Sequence, residues 1–300
     1  MNALPFRQPG RFYRGNLHTH STNSDGDKTL EQVVDSYRHA GYDFVAITDH
    51  FLERYRFPIS DTLPFRTAQF TTLLGAELHA GQVALGGPWH IVAVGLPLDF
   101  APTTADESAA DLCARARAAG AFVAAAHPYW YGLTSQEILA LGRISAIETY
   151  NATCQALNDR GESWALLDAL LAQGQHYLSY AADDAHFHPD RPDWQQAWVQ
   201  VKASHLDPQA LLDALLAGHF YSSTGPELHD IRVEAPNRLT VLCSPCHAIF
   251  VAGQGSWARQ HHGQQVTQAT FALEGCPSPY LRVTVRDALG RRAWSNPLWL

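Results

Sequence analysis

The chain predicts an α/β fold, a parallel sheet flanked by helices, with a small antiparallel β domain at its end. Three observations carry that prediction. From about Tyr13 to about Gly225, seven short β-branched or aromatic runs alternate with longer helical patterns, too many for chance alternation. After Gly225-Pro226 the pattern changes to period-two alternation, which belongs to half-buried antiparallel strands. Hydrophobic residues make up 46% of the 300 and charged residues 17%, enough to bury a large core and unlike a disordered chain.

Strands are expected at residues 13–17, 44–48, 72–76, 91–95, 122–126, 146–150 and 177–181. Between the first two, 29–40 reads as a helix, with Thr29 and Gln32 at capping-box spacing and Gly41 closing it. Helices at 106–119, 161–172 and 208–217 run up to Gly120, Gly174 and Gly218, where a glycine lets the chain turn away. Farther on, 230–234, 239–242 and 280–286 alternate as strands, and Asp287-Ala-Leu-Gly290 has the composition of a hairpin turn. The expected boundaries are therefore 1–225 for the α/β domain and 226–300 for an all-β domain, which is small enough to need packing against its neighbour.

Charge and cysteine usage narrow the function classes. Lys and Arg total 21 against 29 Asp and Glu, and a net charge of -8 disfavours a protein that wraps nucleic acid, so a small-molecule partner is expected. Cys113, Cys154, Cys243, Cys246 and Cys276 form an odd, scattered set rather than a disulfide framework, which points to a reducing compartment. The first residues lack an apolar signal region and no run approaches the ~20 apolar residues of a membrane span. A cytoplasmic protein with no membrane partner is the expectation.

The 16 His residues matter by position. His18 and His20 follow the first strand, Asp49 and His50 the second, and Glu77 the third. His127 ends the 122–126 strand, Glu148 and Asn151 lie at the end of the next, and Asp183, Asp184 and His186 follow the last. In a (β/α) barrel the carboxyl ends of all strands meet on one face, so these separated segments would converge in one pocket. His18-Thr-His20 is the sharpest local signal, because alternate residues of extended backbone point the same way and two imidazoles can then share one divalent ion. Alone it is weak, but Ser24-Asp25-Gly26, Thr48-Asp49-His50, Gly75-Ala76-Glu77, Ala126-His127-Pro128 and Asp184-Ala-His186 follow it.

With these motifs the sequence resembles the PHP family, the polymerase and histidinol phosphatase superfamily of metal-dependent phosphoesterases, over about Asn16 to Gly225. The resemblance implies a distorted (β/α)7 TIM-like barrel holding two or three Zn, Mn or Fe ions. Carried over by position, it implies a first ion held by His18, His20, Glu77 and Asp184, with Glu77 bridging to a second that also takes His90 and His127. A third would be held by Asp25, His50 and His186. His90 precedes a strand instead of following one, and His79 is its rival. Glu77, His127, Asp184 and His186 are the residues expected to carry catalysis.

The ligand mix suits hydrolysis. Neutral imidazoles add no charge while Glu77, Asp184 and Asp25 offset part of the ions' charge, so the cluster stays electrophilic and lowers the pKa of a bound water towards ~7. A Ser or Cys nucleophile is then unnecessary. The first reading is a phosphoesterase acting on a small phosphorylated ester. A second keeps the fold and ions but cleaves a carbamate or carboxylic ester, since the tail ending Ala293-Trp-Ser-Asn-Pro-Leu resembles the CehA/McbA-like branch of PHP proteins. A planar carbonyl needs fewer cationic contacts than a phosphoryl group, and the scarcity of Lys and Arg near the motifs keeps this second reading open. A third reading is a non-catalytic, metal-stabilised interaction module, which the apparent completeness of the ligand set weakens.

Other residues carry bland readings beside functional ones. Asp49 and Asp183 are expected to orient a neighbouring His or cap a helix. Asn151 and Arg160 are candidate substrate contacts, and Glu148 a metal or substrate contact, each set against a structural or solvated role. Lys28 and Arg143 could clamp an anionic group, although surface charge is the default. Trp130, Tyr131 and Trp194 are candidates for the pocket mouth. Cys243-Ser-Pro-Cys246-His247 matches the C-x-x-C-H pattern of haem attachment or a zinc half-site, but its flanks read as strands with a bend at Ser-Pro, and His261-His262 reads as an exposed loop pair.

Overall fold

The apolar runs Phe44–Ile47, Ile91–Val94, Phe122–Ala125 and Leu178–Ala182 are buried at every position, which only a sheet covered on both faces allows. A computed structural model of the chain describes residues 4–234 and 237–300. Its barrel strands are β1 (Arg11–Asn16), β2 (Phe44–Ile47), the short β3 (His50–Phe51), β4 (Thr71–Leu78), β5 (Ile91–Val94), β6 (Phe122–Ala125), β7 (Ala146–Asn151) and β8 (Leu178–Ala182). Helices α1 (Leu30–His39), α2 (Ala109–Ala118), α3 (Pro128–Tyr131), α4 (Ser135–Ala140), α5 (Ala152–Asn158) and α6 (Trp164–Ala172) lie between them. All seven expected strands are present, and α1 starts on the expected capping box of Thr29 and Gln32.

The sheet is parallel through β1–β2–β4 and again through β6–β7–β8. The expectation of an all-parallel sheet fails at β5, which runs antiparallel to both β4 and β6. The cause is local: β4 passes to β5 through the Gly-rich loop 79–90, and a connection without a crossover helix delivers an antiparallel neighbour. Beyond β8 the sheet curls back on its start, where Thr19 and Ala185 form a parallel bridge and the Asp184 N–H donates to the His18 carbonyl at 2.9 Å. Leu17, Phe44, Val92, Phe122 and Tyr180 fill the interior as a packed core.

Strands β9 (Trp198–Ala203) and β10 (Phe220–Ser223), with helix α7 (Pro208–Leu216) between them, continue the sheet antiparallel on the outer edge of β1. The C-terminal strands are β11 (Leu228–Glu234), β12 (Arg238–Ala252), β13 (Ala258–Ala272), β14 (Tyr280–Arg286), β15 (Arg292–Ser295) and β16 (Leu298–Trp299), all antiparallel. They extend the barrel sheet directly, because β15 pairs with β10. The expected turn at Asp287 to Gly290 joins β14 to β15. The Ser244-Pro245 bend proves to be a bulged stretch of one 15-residue strand, and His261-His262 lies exposed on β13 rather than in a loop. Cys243 and Cys246 are buried in the tail core with sulfurs 3.7 Å apart, while His247 faces solvent, so the three do not converge on one ligand. Among the described residues no helix is long and apolar enough to cross a membrane.

Asn296 ties the tail to the barrel. Its Oδ1 accepts from the Ser179 N–H at 2.8 Å, and its Nδ2 donates to the carbonyls of Phe220 at 3.0 Å and Gly218 at 3.3 Å. A bidentate pair from Arg282 to Asp168 reinforces the junction. Asn296→Ala would strand buried backbone groups at the seam, each costing about 1–3 kcal/mol. The expected outcome is a loss of about 2–4 kcal/mol in urea unfolding of the metal-free protein; an unchanged midpoint would show that the seam contributes nothing.

Candidate metal centre

His18 and His20 flank Thr19 just past β1, and the extended backbone aims both rings to one side with centroids 5.3 Å apart. The segment is pinned on both sides: the Thr19 N–H donates to Thr48 Oγ1 at 2.9 Å and the His20 N–H to the Ala185 carbonyl at 2.9 Å. The following turn folds back at Gly26, where a Cβ would come within 2.7 Å of the His20 carbonyl oxygen, so only glycine lets Asp25 return over His20.

Glu77, fully buried at the end of β4, is the hub. Its Oε1 lies 2.6 Å from His90 Nδ1, 3.1 Å from His127 Nε2 and 3.6 Å from His18 Nε2. Its Oε2 lies 2.6 Å from His50 Nδ1, 3.6 Å from His20 Nε2 and 3.9 Å from His79 Nε2. Asp184 Oδ1 approaches His20 Nε2 at 3.0 Å and His18 Nε2 at 3.2 Å. Asp25 faces His50 Nε2 at 3.4 Å, His186 Nε2 at 3.5 Å and His20 Nδ1 at 3.8 Å. The fold therefore brings together His18, His20, Asp25, His50, Glu77, His90, His127, Asp184 and His186. His90 joins although it precedes its strand, because β5 is reversed and its first end meets the carboxyl ends of its neighbours.

The grouping differs in detail from the sequence expectation. Potential ligand atoms cluster as His20, Asp25, His50 and His186; as His50, Glu77, His79 and His90; as His18, His127 and Asp184; and as His18, His20 and Glu77. His20 thus shares the Asp25 group, and His79 stands beside His90 instead of replacing it. Two ligands also hold left-handed backbone that only strong local contacts sustain: His127 at φ 28° and Asp184 at φ 54°. The His127 N–H donates to Glu148 Oε2 at 2.7 Å, and the Asp184 carbonyl accepts from Thr153 Oγ1 at 2.7 Å.

Divalent ions fit this donor set. Atoms bound to one ion at about 2.0–2.2 Å lie about 3.0–3.4 Å apart, at and beyond the long end of the hydrogen-bond range. The separations from His18 Nε2 to Asp184, His50 Nε2 to Asp25 and His186 Nε2 to Asp25 are 3.2, 3.4 and 3.5 Å. His18 Nε2, Glu77 Oε2 and Asp25 Oδ1 are buried atoms without a hydrogen-bond partner, since even the short Glu77–His50 contact lacks hydrogen-bond geometry. Mixed imidazole and carboxylate ligation suits Zn, Mn or Fe.

Electrostatics keep the carboxylates charged. Burial alone would raise Glu77, but His90, His50 and His18 hold it well below the usual range. Asp184 is likewise held low by His18 and His20 against the effect of burial. Burial and the neighbouring His186 and His50 push His20 down to about 4, so it stays neutral. Burial opposes protonation of His50 too, yet Glu77 and Asp25 raise it to about 10.

Surrounding residues orient the rings. Glu148 Oε1 pairs with His18 Nδ1 at 2.9 Å, and the Tyr131 hydroxyl meets His90 Nε2 at 3.0 Å, so each leaves the opposite ring nitrogen facing the cluster. Asn151 is consumed internally: Nδ2 donates to Glu148 at 2.9 Å and Asp184 at 3.1 Å, and Oδ1 caps α5 through the Cys154 N–H. Neither Asp49 nor Asp183 orients a His. Asp49 binds the hydroxyls of Ser21, Ser24 and Ser60, and Asp183 accepts from Tyr37 and the N–H groups of Gln195, Gln196 and Ala197.

A cavity of about 230 Å³ opens over the cluster, walled by Trp130, Tyr131, Cys154 and Leu157 and by Arg191. Arg191 sits in the Pro- and Asp-rich loop 188–194, where no sequence pattern distinguishes it from surface charge. Arg160 stays at the rim, with Nη1 3.4 Å from the Trp130 carbonyl. Trp194 instead packs on Tyr37 and Phe187, Lys28 lies over the Phe187 ring, and Arg143 lines a separate cavity with Arg117 and His176.

No protein-family model matches the chain, and no curated protein matches it significantly. Among solved structures it is similar to a two-domain protein from Bacteroides vulgatus containing a predicted PHP-like metal-dependent phosphoesterase, at 16% identity and TM-score 0.55, over 94% of this chain and 93% of that one. The α/β barrel-like fold with C-terminal antiparallel strands is thus shared with that protein. A candidate metal-dependent phosphoesterase from Bifidobacterium adolescentis aligns at 17% identity and TM-score 0.43, over 68% of this chain and 96% of that one. An amidohydrolase from Chromobacterium violaceum, with bound sulfate and no metal, aligns at 16% identity and TM-score 0.41, over 60% of this chain and 94% of that one. Similarity at the level of the last two says nothing about the chemistry of this chain.

The charge pattern dictates how ion uptake depends on pH. In the metal-free protein the His50 imidazolium, with its pKa raised from 6.5 to about 10, adds stability that is complete below 6.5 and lost as pH rises through about 10. Ligation needs a free lone pair, so an ion that His50 held at pH 7.5 would expel that proton, and its affinity would climb with pH towards about 10. Calorimetric titration with Zn or Mn in buffers of different ionisation enthalpy should register about one proton or more released per chain. Enthalpies independent of the buffer would contradict it.

Proposed function

We propose that this chain is a PHP-type metal-dependent hydrolase that uses water to cleave a small phosphate ester. The observation that carries this reading is the convergence of eight His and Asp side chains, from separate parts of the barrel, around the buried Glu77 carboxylate, nine residues in all. All nine lie within residues 1–225, the segment we take as the hydrolase unit, with 226–300 as its β appendage. The shared fold with the Bacteroides vulgatus protein, whose name includes a predicted metal-dependent phosphoesterase, supports the same class.

His18, His20 and Asp184 would hold one ion, His90 and His127 a second, Glu77 would stand between them, and Asp25, His50 and His186 would hold a third. When bound, such ions lower the pKa of water towards ~7 and polarise the ester oxygen. The chain's own residues do the rest. Glu148 keeps the His18 ring turned and Asn151 holds both Glu148 and Asp184 in place. His186 Nδ1 donates to the Asp184 carbonyl at 2.8 Å, which turns its Nε2 towards Asp25. Arg191 supplies a cation at the pocket wall for an anionic substrate group, and Trp130 and Leu157 shelter the leaving group from water.

A second reading, carbamate or carboxylic ester hydrolysis on the same centre, is favoured by one observation: the wall is largely apolar, with a single guanidinium. A planar carbonyl asks for less cationic contact than a phosphoryl group. The non-catalytic reading fits less well, because buried, unpartnered ligand atoms are costly to retain without a use.

Nitrophenol release from matched phosphomonoester, phosphodiester and carbamate substrates by Mn- and Zn-reconstituted protein decides between these. Chelator-sensitive cleavage favouring a phosphoester is expected, with Asp184→Asn reducing kcat by about 100-fold or more. Preference for the carbonyl ester would replace the first reading with the second. Arg191→Ala should raise KM for the phosphoester about 10- to 100-fold, the equivalent of one charge-assisted hydrogen bond, while changing the carbonyl substrate far less. Equal effects on both substrates would remove Arg191 from phosphate recognition.

A further inference from the structure

His79 is a tenth side chain in the centre, left without a role by the ligand sets above. It follows Glu77 by two positions at the end of β4, so the pleat turns both to the same side, and it is only 4% exposed. Its Nδ1 lies 3.0 Å from the Trp89 carbonyl oxygen. A carbonyl can only accept, so Nδ1 carries the ring proton and Nε2 is left as a bare acceptor. That acceptor lies 2.9 Å from His50 Nδ1. His50 must then donate from Nδ1, so Nε2, 3.4 Å from Asp25, is the nitrogen that gives up its proton when an ion binds.

We propose that His79 is a positioning residue that locks His50 in the tautomer able to ligate the ion shared with Asp25 and His186. The inference rests on the metal-centre reading. The 2.9 Å separation is that of a hydrogen bond, and direct ligation by His79, which also stands beside Glu77 and His90, is the rival role that the last arm of the test separates. Glu77 Oε2 lies 2.6 Å from the same nitrogen but off hydrogen-bond geometry, so His79 is the aligned acceptor while the carboxylate adds attraction to the proton. The relay begins at Trp89 in the loop that delivers His90, and that one loop therefore supplies a ligand directly and orients another at second hand.

The test counts ions. Wild type, His79→Leu and His79→Gln are equilibrated with buffered Zn, and bound ions per chain are measured by elemental analysis, with circular dichroism reporting the fold. His79→Leu should bind the weakest ion about 10- to 100-fold less tightly, as expected for loss of a partner that orients a ligand. His79→Gln should recover most of it, because its amide oxygen can accept from His50. Equal ion content in His79→Leu and wild type overturns the inference and leaves the metal centre standing, whereas a wild type that binds no ion overturns both. Should His79→Leu fail to fold, 113Cd-loaded, 15N-labelled wild type still decides: coupling to His50 Nε2 with none to His79 supports the relay, and coupling to His79 refutes it.

Discussion

Glu77 is a carboxylate with no exposure to water, and a buried charge survives only where its surroundings compensate it. Much of the barrel's upper end answers that demand. His18, His50, His90 and His127 each turn a ring nitrogen towards it from a different strand end, and the cluster would be an electrostatic fault without cations to share. The same constraint accounts for the backbone tension at His127 and Asp184. Left-handed backbone at a non-glycine residue costs about 1–3 kcal/mol, and here the hydrogen bond from the His127 N–H to Glu148 and that from the Thr153 hydroxyl to the Asp184 carbonyl hold each residue where the cluster needs its side chain.

What could be read from the sequence follows from how each residue reaches the cluster. His18, His20, His50, Glu77, His127, Asp184 and His186 were legible because parallel strands deliver residues just past their ends to one face, a rule that needs only the strand positions. His90 reached the same place by the opposite rule, on a reversed strand, and the Gly-rich loop 79–90 was the signal for reversal. The second approach of His20, with Nδ1 near Asp25 and Nε2 near Asp184, was not legible, because it is a matter of ring placement that no spacing encodes. Arg191 was invisible for a different reason: one arginine among loop prolines and aspartates has no periodicity to give it away. The alternation of β9, buried at every second residue, was present in Trp198–Ala203 but lay outside the seven runs that suggested the barrel.

Two aspartates adjacent to the ligands show how much of the site lies outside the cluster. Asp49 gathers three serine hydroxyls and so fixes the turn that carries Asp25. Asp183 collects one tyrosine hydroxyl and three backbone N–H groups, and so clamps the strand leading to Asp184 against the start of β9. Through β9, β10 and β15 the hydrogen-bonded sheet runs on into the tail. The appendage is thereby mechanically continuous with the strands that position the ligands, and Asn296 secures that continuity at Ser179 on β8.

The ligands come from strand ends while the pocket wall comes from loops and short helices, and this division sets what can vary. Trp130, Leu157 and Arg191 make none of the side-chain hydrogen bonds that orient the clustered His rings, so their replacement can reshape the cavity while the cluster stays intact. Tyr131 is the exception, since its hydroxyl meets His90 Nε2 and any change there reaches a ligand. On the proposed hydrolase reading, a preference for phosphoryl or carbonyl esters would accordingly turn on one guanidinium and two apolar side chains. The residues gathered around Glu77 would serve either ester alike.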